Sequence, residues 1–205
     1  MQEKSKRRSN QDRTEATRAR LIEAARRLFA QKGYAGTGTP EIVEAAKTTR
    51  GALYHHFEDK EALLRAVVER EAALVAGHIE RKTADAFSPI DALISGGRAY
   101  LSAMRDPGRS RLMLLDGPAA LGRSEVDRID SLHGARTLRE GLQHAINAGM
   151  LKSLPLDALT TILSAAFDRA ALSVTLGASE DEQMEVLAAL LEGLKAKSDG
   201  LGPVY

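Results

Sequence analysis

The residues best suited to bind another molecule lie between positions 33 and 64, where basic, glycine and hydroxyl-bearing residues follow one another closely. Arg50 can donate two hydrogen bonds to the O6 and N7 atoms of a guanine base. Gly51 beside it exposes backbone and permits another molecule to approach closely. Three further side chains follow at spacings that can reach phosphate oxygens, namely Tyr54, His55 and Lys60. This chemistry is typical of nucleic-acid binding.

Two short helices joined by a tight turn would position these side chains. The pattern predicts a first helix over residues 39–46, capped by Thr37 or Thr39. After a break, Thr49 can cap a second helix over residues 50–56. Together they predict a helix-turn-helix, whose second helix can enter a DNA major groove with its first residues at the base edges.

Longer amphipathic helices flank this pair. Residues 14–32 place apolar side chains on one face, namely Leu21, Ala25, Leu28 and Phe29. Gly33 suits a left-handed cap at the end of that helix. Asp59 can cap a helix over residues 60–84, which would be about 37 Å long. Such a helix is long enough to extend from a small domain into a larger one.

Each of these residues also has a simpler structural interpretation. Tyr54 and Phe57 could be core aromatics, and Arg50 alone could be a solvated surface charge. The adjacent His55 and His56 could suggest a metal site. However, neighbours on a helix do not face each other, and no acidic or Cys partner is suitably spaced. We therefore predict no metal site, and we expect Phe57 in the core.

The segment from about residue 14 to residue 64 resembles the DNA-binding domain of the tetracycline-repressor (TetR) family. The matching residues are the run Arg50-Gly51-Ala52-Leu53-Tyr54-His55-His56-Phe57, then Lys60, Ala62 and Leu63, and upstream Leu28-Phe29, Gly33-Tyr34 and Ile42. The resemblance implies an all-α protein of about nine helices. The first three would bind DNA, and the others would bind an inducer and form a dimer.

The resemblance also implies roles for individual residues. Arg50 and Gly51 would face the bases. The residues expected at the DNA backbone are Thr37, Thr39, Tyr54, His55 and Lys60.

Two departures from the family pattern affect this segment. Lys47 occupies a turn position that is usually Gly, and a positive φ there would cost about 1 kcal/mol. The run Gly38-Thr39-Pro40 replaces a more usual small-polar, aliphatic, polar sequence. Thr39 should therefore either fill a core position poorly or face DNA.

Charge is distributed unevenly along the chain. Lys and Arg outnumber Asp and Glu by 13 to 8 in residues 1–60, whereas residues 61–205 hold 16 against 20. A flexible basic arm is predicted over residues 1–13, with its cations at Lys4, Lys6, Arg7, Arg8 and Arg13. It would either gain order on DNA phosphates or the minor groove, or serve as a solubilising tail.

The composition excludes several other classes of protein. The chain has no Cys, which rules out disulfides, thiolate catalysis and Cys-based zinc sites. Neither a secretory signal nor an apolar run of membrane-spanning length is present, so a cytoplasmic location is expected. The chain also lacks a nucleophile-elbow motif and a phosphate-binding loop. We therefore predict no enzymatic activity, no catalytic residue and no cofactor.

The rest of the chain predicts a helical ligand-binding and dimerisation domain over residues 60–197, after a DNA-binding domain over residues 14–59 and before a tail over residues 198–205. Five further helices are predicted, over residues 89–104, 109–115, 124–148, 155–176 and 180–197. The run Asp116-Gly117-Pro118 is predicted to interrupt the helical structure after the helix over residues 109–115.

The last two helices carry more apolar residues than a single face requires, which predicts an isologous four-helix dimer interface rather than a monomer whose helices cover each other. The proposed interface residues are Phe167, Asp168, Arg169, Leu187 and Leu191. A mostly apolar inducer pocket is expected among the helices of residues 60–150. Its candidate lining residues are Arg98, Tyr100, Met104, Met113, His133 and Arg136.

The sequence therefore predicts a homodimeric repressor that a small-molecule inducer releases from a palindromic operator in double-stranded DNA. An architectural or ligand-independent helix-turn-helix protein remains the alternative. Selection from random duplexes would separate the two, because a repressor should enrich one palindrome.

Overall fold

The computed structural model describes residues 2–196, with side chains from residue 11 onward. The fold is all-α, as predicted. Within the described part of the chain, β pairing is limited to one antiparallel bridge between Leu151 and Lys195. Among the described helices, none combines the length and apolar character needed to cross a bilayer. The predicted tail over residues 198–205 lies outside the described residues.

The chain divides into two compact units. The N-terminal unit comprises Met1–Ala72 and Asp106–Ile129, and the C-terminal unit comprises Ala73–Arg105 and Asp130–Tyr205. The sequence predicts a domain boundary at residue 60, whereas the two units of the structure divide within α4 (Lys60–Thr83), between Ala72 and Ala73. The physical reason is that the first half of the long helix after Lys60 contributes to the same apolar core as the helices before it.

The N-terminal unit is built from one long N-terminal helix, part of α4 and several short helices around one core. It contains α1 (Gln2–Lys32), α2 (Thr39–Ala45), α3 (Arg50–His56), the first part of α4 (Lys60–Thr83), α6 (Pro107–Arg111), a π-helical turn (Leu112–Asp116), α7 (Gly117–Leu121) and most of α8 (Arg123–Leu132). Its largest fully buried side chains include Leu21, Phe29, Ile42, Leu53, Leu63, Leu64 and Leu112.

The first helix begins at Gln2 rather than at residue 14. The segment predicted as a flexible arm is therefore helical from its second residue, because its Lys, Arg, Glu and Gln residues favour helix. Of the basic side chains predicted in the arm, Arg13 is exposed. The side chains of Lys4, Lys6, Arg7 and Arg8 lie outside the described part of the chain.

A buried ion cluster joins α1, α4 and α6 within the N-terminal unit. The Glu71 side chain on α4 is only 3% exposed, and its carboxylate pairs with Arg109 Nε at 2.7 Å and with Arg26 Nε at 3.4 Å. Arg26 also donates a hydrogen bond to Asp106. Burial alone would raise the pKa of Asp106, but the Arg26 guanidinium and the backbone donors of Arg109 and Gly108 hold it below its ordinary value.

The helical structure is not interrupted at Asp116-Gly117-Pro118, contrary to the prediction. The π-helical turn runs directly into α7, and Pro118 lies in the first turn of α7. The Asp116 carboxylate holds the loop after α1, since it accepts a hydrogen bond of 2.9 Å from the Tyr34 N–H.

The C-terminal unit contains the second part of α4, α5 (Pro89–Ala103), the end of α8, α9 (Gly134–Asn147), α10 (Leu156–Thr175) and α11 (Glu180–Gly193). The helix predicted over residues 124–148 is divided at His133, which adopts φ −130° and ψ −98°. The helix predicted over residues 109–115 is likewise replaced by α6, the π-helical turn and α7. The described residues therefore form eleven α-helices and one π-helical turn, where the sequence predicts nine helices. The last helix ends at Gly193 rather than at residue 197.

Candidate functional sites

The turn between α2 and α3 depends on a left-handed residue. Lys47 has φ +50°, and it is the one non-glycine residue with positive φ in the described part of the chain. Its N–H donates to the Glu44 carbonyl at 3.0 Å, and the Thr48 N–H donates to the Val43 carbonyl at 3.1 Å. The positive φ whose cost the sequence analysis considered at Lys47 is therefore present.

The caps of the two helices differ from one another. Thr49 caps α3 as predicted, because its hydroxyl accepts a hydrogen bond of 3.1 Å from the Ala52 N–H. For α2 the prediction was wrong. Its cap is Gly38, without a side-chain hydrogen bond, and Thr39 is the first helical residue.

The helix α3 has one buried face and one exposed face. Leu53 and Phe57 are buried, which confirms the predicted core position of Phe57. The exposed face, which we call the α3 surface, consists of Arg50, Gly51, Tyr54 and His55. Tyr54 is 42% exposed, so it is not a core aromatic. The side chains at the start of α3 are thus available to a partner.

Three predicted contact residues come together at this surface. The side chains of Thr39 on α2 and of Arg50 lie beside the Tyr54 phenol, and their interactions with it, Thr39 first, lower the pKa of Tyr54 below its ordinary value. The Arg50 guanidinium carbon lies 5.5 Å from the centre of the Tyr54 ring. Tyr54 therefore orients Arg50 at the first turn of α3. The prediction left two positions open for Thr39, which is half-buried and lies beside Tyr54.

Gly51 lies in open space at the same turn. A Cβ built on Gly51 would have only the Thr49 hydroxyl within 4 Å, at 3.9 Å. The protein's own packing therefore does not require glycine here. A requirement could come only from a partner that approaches the backbone.

Two residues predicted to contact the DNA backbone have internal roles. Thr37 is 1% exposed, and its hydroxyl donates to the Gly33 carbonyl at 2.8 Å. Its assignment as a side-chain DNA contact was wrong, because the hydroxyl is needed to close the turn after α1. Lys60 is half-buried and uses its Nζ to donate to the carbonyls of Tyr34, at 3.0 Å, and Thr37, at 3.1 Å.

The two histidines at the end of α3 are in different environments. His55 is exposed, whereas His56 is partly buried. Burial, followed by the charges of His55 and Arg18, lowers the pKa of His56. Among the described residues, no group of three His, Asp or Glu side chains is placed to hold a metal ion.

A cavity of about 290 Å³ lies within the C-terminal unit. Its walls come from α4, α5, the end of α8, α9 and α10. The apolar lining residues include Ile79, Leu93, Leu138 and Phe167, and the polar ones include Glu80, Tyr100, Asp130, Glu140, His144 and Ser164. This cavity is the second candidate site, and its size suits a small organic molecule.

Only Tyr100 of the six predicted ligand-binding residues lines this cavity. Arg98 is exposed and pairs with Asp181, and Met104 is buried in the core. Met113 packs against the core of the N-terminal unit. His133 and Arg136 are adjacent in sequence to residues that line the cavity, but they do not line it themselves. These five assignments were wrong because residue type and helical period do not show which neighbour a side chain contacts.

Tyr100 lies in a polar and aromatic corner of the cavity. Its hydroxyl donates to Asp168 Oδ1 at 2.6 Å, and its ring meets the Phe167 ring edge to face at 6.2 Å. Phe167 and Asp168 had been predicted at the dimer interface. Phe167 instead lines the cavity, and Asp168 binds the hydroxyl of a residue that lines it.

The helices α10 and α11 bury one apolar face and expose another. Leu187 and Leu191, predicted at the dimer interface, are 4% and 1% exposed within the chain itself. Of the predicted interface residues, Arg169 is exposed. The exposed large apolar side chains on these two helices are instead Ile162, Val186 and Leu190, at 68%, 61% and 51%.

The helix-turn-helix with an exposed polar first turn on its second helix defines a DNA-binding regulator of the helix-turn-helix class. Residues 21–67 match the family described as bacterial regulatory proteins, tetR family, and residues 90–201 match the tetracyclin repressor-like C-terminal domain. The second match alone covers more than half of the chain. The chain therefore belongs to the TetR family of transcriptional regulators.

Individual relatives agree with this assignment. The HTH-type transcriptional repressor AcnR of Corynebacterium glutamicum is 29% identical over 199 residues, which cover 92% of this chain and 97% of the relative. A crystal structure of a TetR-family regulator from Pectobacterium atrosepticum is 30% identical, has a TM-score of 0.72, and matches 91% of this chain and 97% of its own. The structure of RolR in complex with resorcinol has a TM-score of 0.72 at 24% identity over 90% of each chain, a likeness of fold.

Proposed function

We propose that the protein is a homodimeric repressor that binds a palindromic operator through α3 and is released when a small molecule occupies the cavity of the C-terminal unit. The observation that carries the proposal is the α3 surface. Arg50 and Gly51 stand exposed at the first turn of α3, which is the part of a recognition helix that meets base edges. The repressor name of AcnR supports the direction of regulation.

At the operator, Arg50 would donate two hydrogen bonds to a guanine, while Gly51 would let the helix backbone approach the groove closely. Tyr54 and Thr39 would position Arg50 and contact phosphates, together with His55. Lys60 has two of its three N–H donors occupied by carbonyls of the loop after α1, and its third would face the DNA backbone.

A second copy of the chain would cover the exposed apolar side chains of α10 and α11. Ile162, Val186 and Leu190 lie on two neighbouring helices, and an isologous contact between these helices would bury all three in both copies. A single helix-turn-helix reads only half of a palindrome, so operator recognition also requires two copies.

The dimer is tested by Leu190→Glu, which would place a charge in the interface. The variant should sediment as a monomer at concentrations where the wild type is dimeric. Phe87→Glu is the matched control, because Phe87 is a fully exposed apolar residue outside these helices. A dimeric Leu190→Glu protein would exclude this interface.

Operator recognition is tested by selecting bound duplexes from a random pool and measuring affinity by fluorescence anisotropy. The wild type should enrich one palindrome. Arg50→Ala should lose about tenfold or more of its preference for that palindrome over a shuffled duplex, because one bidentate contact contributes about 1–3 kcal/mol of discrimination. Arg81→Ala, which removes an exposed guanidinium from the last turn of α4, should keep the preference.

Two outcomes would oppose the proposal. Unchanged selectivity after Arg50→Ala would remove Arg50 from base recognition. Failure of the wild type to enrich any palindrome would favour an architectural DNA-binding protein.

A further inference from the structure

The cavity of the C-terminal unit carries an excess of negative groups. Three carboxylate side chains line it, those of Glu80, Asp130 and Glu140, and its lining includes no Lys or Arg. Cavities that accept anionic ligands place cations on their walls, so this lining opposes a carboxylate or phosphate ligand.

One nearby guanidinium offsets part of that charge. Arg136 donates to Glu80 Oε1 at 2.5 Å and to Glu140 Oε1 at 3.1 Å from outside the lining. One positive charge is therefore shared by the two carboxylates of Glu80 and Glu140. A cation that enters the cavity would meet a favourable potential.

The contacts of the Asp130 carboxylate include hydrogen bonds from two neutral donors. The Ala135 N–H donates to its Oδ1 at 3.1 Å, and the Ser164 hydroxyl donates to its Oδ2 at 3.1 Å. Each carboxylate oxygen can accept more than one hydrogen bond, so an N–H of a ligand can join these donors. The side chain is thus oriented before any ligand arrives, which reduces the entropic cost of binding.

The neighbouring aromatic rings add a second attraction for a cation. Tyr100 and Phe167 both line the cavity, and their centres lie 6.2 Å apart in an edge-to-face arrangement. A ligand ammonium within about 6 Å of a ring centre is attracted by the negative face of the ring. Because the Tyr100 hydroxyl donates to Asp168, its oxygen is left to accept a hydrogen bond from a ligand.

We propose that the ligand of this cavity is a small organic cation, a protonated amine on an aromatic or alicyclic body of one or two rings. The amine would be held by Asp130 and the ring pair of Tyr100 and Phe167. The body would pack against Leu93 and Leu138. This inference rests on the proposed function, since it names the class of inducer for the same cavity.

Three probes with one skeleton and different charge test the proposal. These are 1-naphthylmethylamine, 1-naphthalenemethanol and 1-naphthoic acid, which at pH 7 are a cation, a neutral molecule and an anion. Their affinities for the full-length protein are measured by isothermal titration calorimetry. The amine should bind at least about tenfold more tightly than the alcohol, because it adds charge-assisted contacts, and the acid should bind most weakly.

Two variants locate the source of the preference. Asp130→Asn keeps an acceptor for the Ala135 N–H but removes the charge, and it should lower the preference for the amine by about tenfold. Should this variant unfold, Glu140→Gln changes an exposed side chain on α9 and should lower the same preference by a smaller factor. Asp85→Asn removes an exposed carboxylate outside the lining and should leave the preference unchanged.

The ligand class and the proposed function can fail separately. Equal or tighter binding of the alcohol or the acid, binding of none of the probes, or an amine preference that survives both variants would overturn the ligand class. Release of the selected palindrome by the alcohol or the acid would then leave the repressor function standing. Conversely, an amine that binds as expected without releasing DNA would support the ligand class and remove the inducer role.

Discussion

The ammonium of Lys60 lies 4.2 Å from the centre of the Tyr34 ring and donates a hydrogen bond of 3.0 Å to the Tyr34 carbonyl. With its second bond to Thr37, it ties the first residue of α4 to the loop between α1 and α2. A residue that looks like a surface cation in the sequence therefore holds the helix-turn-helix against its neighbours.

Lys60→Met should consequently destabilise the protein as well as weaken DNA binding. It removes two hydrogen bonds made by a charged donor and one cation–π contact, for a loss of about 2 kcal/mol or more in the free energy of unfolding. Urea denaturation measures this loss. Lys82→Met, which removes an exposed lysine from the last turn of the same helix, should change the stability by less than about 0.5 kcal/mol. Equal stabilities of the two variants would show that the bonds of Lys60 contribute nothing.

Gly51→Ala should separate folding from DNA binding. The added methyl group meets nothing closer than 3.9 Å, and alanine favours helix over glycine by up to about 1 kcal/mol. The melting temperature should therefore stay the same or rise. Affinity for the selected operator should fall about tenfold or more, because the methyl group would separate the backbone from the bases. Gly77→Ala, which meets only the far end of the Arg81 side chain, is the control and should retain operator affinity. Full affinity in Gly51→Ala would show that the backbone does not approach DNA closely.

Lys47→Gly should stabilise the turn between α2 and α3. Lys47 has φ +50°, a conformation that costs an L side chain about 1–2 kcal/mol, whereas the greater entropy of glycine in the unfolded chain offsets part of that gain. Lys47→Ala is the matched comparison, since it loses the same charge but keeps a Cβ. The glycine variant should be more stable than the alanine variant by about 0.5–1 kcal/mol in urea denaturation. The reverse order would mean that the turn relaxes to a negative φ in the absence of DNA.

Tyr100 should make the protein sensitive to alkali. Burial, followed by the negative charges of Asp168 and Asp130, raises the pKa of Tyr100 well above its ordinary value of 10.0. As the pH rises past 10, the unfolded chain loses this proton while the folded protein keeps it. The contribution of Tyr100 to the free energy of unfolding is therefore constant below pH 10 and decreases above it, by up to about 1.4 kcal/mol per pH unit.

Tyr100→Phe tests this linkage by urea denaturation between pH 8 and pH 11. The variant should lose about 1–3 kcal/mol at pH 8, because Asp168 loses the hydroxyl that donates to it, and should show a shallower decline above pH 10. Tyr54→Phe is the control, since the pKa of Tyr54 is lowered rather than raised. An unchanged slope in Tyr100→Phe would show that Tyr100 does not hold its proton at high pH.

Local chemistry was sufficient to predict the helix-turn-helix. The bounds of α3 and the cap at Thr49 each depend on a few adjacent residues, which is why the sequence alone indicated them. The burial of Thr37 could not be predicted in this way. Its hydroxyl bonds to the carbonyls of Gly33 and Leu28, and only the path of the chain after α1 places it there.

Longer-range packing decided the residues that the sequence misplaced. An amphipathic helix shows which side chains avoid water, but not whether its own chain or a second copy covers them. Leu187 and Leu191 are covered by their own chain, whereas Val186 and Leu190 on the same helix are left exposed. The cavity residues were missed for a related reason, because acidic residues such as Asp130 look like ordinary surface charges in the sequence.

The enclosure of Glu71 between Arg26 and Arg109 limits how α4 can transmit a signal. Glu71 lies just before the point at which α4 leaves the N-terminal unit. Separating a buried carboxylate from its guanidinium partners costs about 3–5 kcal/mol. The helix is therefore clamped at this point rather than free to bend gradually. A ligand that bent α4 at Glu71 would therefore have to contribute more free energy than this, whereas a movement that keeps the three charged residues together as one rigid body would not have to break their ion pairs.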